Sequence, residues 1–129
     1  MTAPLILDTG ALIGLARRSN RIWSLLDQAQ RRGIDVLVPA GTLAESIRGG
    51  PRDAPINKLL GRPHAQVTVH DEDRARSAGS LLRRVPSSGA IDALVVAEAL
   101  RHEAALIATS DPRDITDLAR GHDVTVVEV

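Results

Sequence analysis

Three short apolar runs punctuate the chain, "PLIL" at 4–7, "DVLV" at 35–38 and "ALIAT" at 105–109. They lack polar alternation, as strands covered on both faces do. Two further runs, "QVTV" at 66–69 and "VTVV" at 124–127, have the same β-branched character. Between them the apolar spacing changes to that of helices. Residues 19–32 carry Ile22, Trp23, Leu25, Leu26 and Ala29 on one face and stop at Gly33. Further helices are predicted at 40–48, 73–84, 90–104 and 112–120, with one begun by "TGAL" after Asp8 and a short helical turn at 56–60 behind the loop "GGPRDAP". Strands alternating with helices predict an α/β fold with a mostly parallel sheet.

At 129 residues the chain has length for one domain, 1–129, with a sizeable core. Phe and Tyr are absent and Trp23 is the one aromatic residue, so the core must be built from Leu, Ile, Val and Ala. Trp23 lies on an apolar helix face, which makes it core or a dimer contact rather than a platform for stacking bases. There is no Cys, which excludes disulfides and thiolate metal sites and makes a cytoplasmic location the simplest expectation. No run is long enough to predict a secretory signal or a membrane span. Sixteen acids balance sixteen bases, so no global positive field announces nucleic acid.

The candidate chemistry lies in acids just past the strands. Asp8 follows "LIL", Asp111 follows "LIATS", Glu45 sits about two helical turns beyond "VLVP", and Asp92 lies in the first turn of the 90–104 helix. Ligands of open parallel sheets bind outside the carboxyl ends of strands, where these acids fall. Each also has a local explanation. Asp8 and Asp111 are suited to cap helices, with Pro112 at N1 and Asp114 at N3; Asp92 faces a helix dipole; Glu45 can close a capping box with Thr42. If the four converge, two carboxylates about 4 Å apart repel by ~4 kcal/mol at an effective dielectric near 20, a conflict that a divalent cation removes. All-oxygen ligation selects Mg²⁺ or Mn²⁺, and such an ion supports phosphodiester hydrolysis.

Taken together, "LILDTGALIGL", "VPAGTLAESIRGG", "IDALVVAEAL" and "LIATSDPRDI" resemble, in order and over nearly the whole chain, the PIN-domain ribonucleases, and among them the VapC-type toxins of bacterial toxin–antitoxin pairs. The resemblance implies a three-layer sandwich, a five-stranded parallel sheet flanked by helices. It also implies a Mg²⁺- or Mn²⁺-dependent endoribonuclease that leaves a 5′-phosphate and a 3′-hydroxyl, with Asp8, Glu45, Asp92 and Asp111 as the acidic quartet. Asp8, Asp92 and Asp111 would ligate the metal, and Glu45 would bind it directly or through water. A small antitoxin and a homodimer are the implied partners. A fold that keeps only an interaction role, without catalysis, is the alternative.

Thr9 and Ser110 neighbour two of the acids and are placed either to orient them or to cap helices; Asp114 competes with Asp111 for the fourth acidic position. Arg48, Arg52 and Arg113 are candidate RNA phosphate contacts, or else solvated charges. His64, His70, His102 and His122 form no ligand spacing and read as surface or packing residues. The apolar sides of 19–32 and 56–60 are candidate antitoxin-docking faces, or else core.

Overall fold

The computed structural model describes residues 2–129. Five parallel strands, β1 (Leu5–Leu7), β2 (Val36–Pro39), β3 (Ala65–Thr68), β4 (Ala105–Thr109) and β5 (Val124–Glu128), form one sheet in the order β3-β2-β1-β4-β5. The short central strands work by alternation. Leu5 and Leu7 enter the core on one face of the sheet and Ile6 the core on the other, while in β2 Val36 and Val38 oppose Leu37 in the same way. Every strand pair is parallel, with Leu5 in register with both Val36 and Leu106.

Helices α1 (Thr9–Ala16), α2 (Asn20–Arg31) and α4 (Ala54–Leu60) cover the Leu5 face through Leu12, Leu15, Ile22, Leu26, Ile56 and Leu59, each buried almost completely. Helices α5 (Glu72–Arg84), α6 (Ala90–Ala99) and α7 (Pro112–Ala119) cover the Ile6 face. The arrangement is the three-layer α/β sandwich that the sequence predicts. Helix α3 (Ala40–Ser46) follows β2 directly and packs between α1 and α6 at the strand ends.

Three expectations are corrected. The 90–104 helix stops at Ala99, and the amides of Arg101 and His102 turn back onto Glu98 O and Ala99 O so that the chain can enter β4. The 40–48 helix stops at Ser46, with Ile47 extended. The apolar sides of 19–32 and 56–60 are not open docking faces, because Ile22, Leu26, Ile56 and Leu59 are committed to the core. Helix α2 ends as expected. Gly33 takes the left-handed conformation at φ 66°, and the Ile34 amide returns to Ala29 O in a Schellman turn.

Candidate active site

The strand order reverses between β1 and β4, because the chain runs outward through β2 and β3 before returning to the other side of β1. Crevices at such a reversal are where open parallel sheets bind ligands. Asp8 leaves β1 at this point and Asp111 follows β4 beside it, with the Asp8 amide donating to Ala108 O at 3.2 Å.

Asp8 is buried, 5% exposed, and caps α1: its Oδ1 accepts the Ala11 amide at 2.8 Å. The cap satisfies one of the orphan donors of the first turn. Burial nevertheless pushes the Asp8 carboxyl above the ordinary carboxylate range and Asp111 adds to the shift, against the Thr109 hydroxyl and the Ala11 and Gly10 amides, which lower it. The two readings of Asp8 are therefore compatible. It is both a turn-maker and a strained carboxylate.

Asp92, in the first turn of α6, carries the larger effect, pushed up to about 6 by burial and then by Asp8, Asp114, Glu45 and Asp111 in that order. Acids from the end of β1, from α3 and from the start of α7 thus act on one carboxyl on α6. Asp111 stands at the N-cap position of α7 but makes no side-chain cap; instead its amide donates to Thr109 Oγ1 at 2.9 Å, which leaves the carboxylate uncommitted. Asp114, one turn into α7, faces the same group, so both acids belong to the cluster.

Glu45 lies on the last turn of α3, exposed, and its Oε1 accepts a 2.5 Å hydrogen bond from Thr9 Oγ1. Thr9 is therefore an orienting group, its hydroxyl turned to a distant carboxylate. No capping box forms, because Thr42 is inside α3 and donates to Pro39 O and Leu7 O. Ser110 is exposed and packs against Gly10, where an added Cβ would meet Ser110 Oγ at 1.9 Å.

Of the three arginines, Arg48 turns inward on its own helix, donating to Ala44 O, Glu45 O and Ile47 O and capping the end of α3. Its guanidinium is spent on carbonyls. Arg52 and Arg113 are exposed, on the 3-10 turn Pro51–Asp53 and the first turn of α7. His70 accepts the Gly41 amide at 2.8 Å, a packing role that steadies the start of α3, and His102 lies 3.5 Å from the buried Glu98. Thr109 and Gly10 went unnoticed in the sequence; Thr109 is the last residue of β4, the place where a side chain reaches the rim.

The donor set is all carboxylate and hydroxyl oxygen, the chemistry of a hard cation. Among the described residues no three such side chains are gathered as a ready-made cage. Mg²⁺ does not require one, since it keeps several waters and is held by one or two carboxylates. The residues fit that mode of binding.

The PIN domain family model matches residues 5–121 of the chain. The chain belongs to the PIN-domain family. Solved structures share this PIN fold at low identity. They include VapBC2 from Rickettsia felis bound to a DNA fragment from their promoter, at TM-score 0.72 and 14% identity, covering 97% of this chain and 98% of that one. DNA-bound VapBC from Salmonella typhimurium gives TM-score 0.68 and 16% identity, with 98% of each chain covered. FitAcB from Neisseria gonorrhoeae gives TM-score 0.66 and 22% identity, with 95% of each covered. No curated protein sequence matches this PIN domain. Among the described residues no helix is long and apolar enough to cross a membrane.

Proposed function

We propose that this chain is a Mg²⁺- or Mn²⁺-dependent endoribonuclease and the toxin of a toxin–antitoxin pair. What supports the reading is that Asp8, Glu45, Asp111 and Asp114 each raise the pKa of Asp92, next to the β1/β4 reversal of a PIN fold. Clustered carboxylates at an exposed rim destabilise one another unless a cation joins them.

Asp8, Asp92 and Asp111 would hold the ion, with Glu45 beside them or joined through water. The bound ion supplies charge neutralisation at the phosphodiester and acidifies water. The chain does the rest. Asp8 is fixed by its cap on α1, so its carboxylate keeps one direction. Glu45, steered by Thr9, is the carboxylate placed to take a proton from the attacking water. Water adds to phosphorus, the bond to the 3′-oxygen breaks, and the products are a 5′-phosphate and a 3′-hydroxyl. Arg52 and Arg113 are the arginines free to meet flanking phosphates.

The partner reading rests on the VapBC and FitAcB likenesses: a small antitoxin places a basic side chain among the acids, and the chain pairs with a second copy of itself. Purified protein incubated with total RNA in Mg²⁺, Mn²⁺ or EDTA tests the activity, with sequencing of 5′-monophosphate ends. Cleavage in metal, absent in EDTA and in Asp8→Asn, is the expected result. Intact RNA under every condition would overturn it in favour of a silent interaction module.

A further inference from the structure

Beside the acid rim, on the α1–α2 side of the sheet, lies a cleft of about 360 Å³ lined by Gly10, Ile13, Gly14, Arg17, Ser19, Ile22, Ser110 and Val129. Two of its lining residues adjoin the rim directly, Gly10 two positions after Asp8 and Ser110 immediately before Asp111. Gly10 and Gly14 are four apart on α1 and form a glycine strip on one helix face, covered by Ser110 at Gly10 and bare at Gly14. A Cβ at Gly14 would find nothing nearer than Ser19 Cβ at 4.0 Å, so the space there is open.

The cleft also has polar groups with no internal task. Ser19 stands at the N-cap of α2 but makes no side-chain cap. Arg17 is exposed and takes part in none of the ion pairs among the described residues. The strongly acidic rim thus has an uncommitted cation and two hydroxyls next to it, over a floor of Ile13 and Ile22.

We infer that this cleft is the subsite for the nucleotide next to the scissile phosphate, with Arg17 as the group that anchors it; the inference rests on the RNA-cleaving reading of the rim. The chemistry matches a single-stranded ribonucleotide part by part. A base face lies on the glycine strip and the isoleucines, Ser19 and Ser110 meet the base edge or the 2′-hydroxyl, and Arg17 takes the phosphate or stacks on the base. A guanidinium plane is the stacking surface left to a chain with no Phe or Tyr, because its Trp23 already lies under Lys58 and Arg62 at 5.7 and 5.1 Å from the ring centre.

The test is equilibrium binding of a fluorescein-labelled unstructured hexaribonucleotide in EDTA, where no cleavage intervenes, to the wild type, Arg17→Ala and Gly14→Leu. Arg17→Ala should weaken binding by ~10-fold, the loss of one hydrogen bond to a charged group. It should also lower the slope of log Kd against log salt by about 0.7, one phosphate contact on a single strand. Gly14→Leu should weaken binding by filling the cleft while keeping the wild-type salt slope, a separation that general destabilisation does not produce. In the cleavage assay Arg17→Ala should raise KM and leave kcat nearly unchanged.

Wild-type affinity and slope in both variants would overturn the subsite, as would no hexanucleotide binding by the wild type. The two readings fail separately. Cleavage by a protein whose variants bind normally removes the subsite alone, whereas Arg17-dependent binding without cleavage in any metal removes the nuclease alone.

Discussion

Thr9 Oγ1 donates to Glu45 Oε1 across 36 residues, joining the first residue of α1 to the last turn of α3. The bond sets the direction of a carboxylate that would otherwise swing freely on an exposed helix end. Thr9→Val removes the donor at similar volume and should cut the cleavage rate or metal affinity by roughly 10-fold, the usual scale for losing a group that orients a site carboxylate. Thr9→Ser should restore most of it. Equal rates and equal Mg²⁺ titrations in wild type and Thr9→Val would show that Glu45 needs no steering.

Asp8 has two duties that substitutions can separate. Asn caps a helix as well as Asp does, so Asp8→Asn should keep the melting temperature while abolishing RNA cleavage. Asp8→Ala loses the cap as well and should be less stable than Asp8→Asn by about 1 kcal/mol in denaturant unfolding. Residual full activity in Asp8→Asn would remove this residue from the chemistry.

Folding raises the Asp92 pKa from 3.8 to about 6, and Asp8 shifts in the same direction. The folded state therefore holds more protons than the unfolded chain between about pH 4 and pH 6. The contribution of these two carboxyls to stability without metal is fully present below this window and falls as pH rises through it. A shift of about two units sets an upper limit near 3 kcal/mol for Asp92, which solvent screening at this partly exposed group reduces to roughly 1 kcal/mol. Asp92→Asn should flatten the fall, and saturating Mg²⁺ should raise the melting temperature more at pH 7.5 than at pH 4.5. Parallel pH profiles of melting temperature for wild type and Asp92→Asn without metal would contradict this.

Gly10 sits inside a helix, where alanine ordinarily stabilises. Here an added Cβ would lie 1.9 Å from Ser110 Oγ, 2.9 Å from Ser110 Cβ and 3.3 Å from its backbone nitrogen. Gly10→Ala should therefore cost about 1–3 kcal/mol, as overpacking does, and should push the 110–111 segment away from Asp8. Removing the Ser110 side chain in Gly10→Ala/Ser110→Gly should recover part of the loss. A Gly10→Ala protein more stable than wild type would mean that the contact is absent in solution.

The strands were legible in the sequence because both-face burial leaves uninterrupted aliphatic runs, and "LIL", "VLVP" and "ALIAT" fall on β1, β2 and β4. The positions of Asp8 and Asp111 just past β1 and β4 were legible because strand ends are visible as the place where such runs stop. Local spacing could not show the contacts made across long separations. Thr9 with Glu45 and His70 with Gly41 bridge 36 and 29 residues, and nothing near either partner in the chain announces the other. The end of α6 was hidden for a different reason. Ala, Leu and Glu continue past Ala99 with good helix propensity, and it is the need to enter β4 that stops the helix. Arg48 looked like a free cation because a C-terminal carbonyl cap has no signature in residue type.

The site draws on positions from 8 to 114, and β4, which delivers Asp111, is made after all three of the elements that carry Asp8, Glu45 and Asp92. A polypeptide still emerging from the ribosome thus carries Asp8, Glu45 and Asp92 with no Asp111 or Asp114 to join them. Premature termination before residue 111 yields fragments lacking two of the five acids. All five acids are present together only once residue 114 has been made.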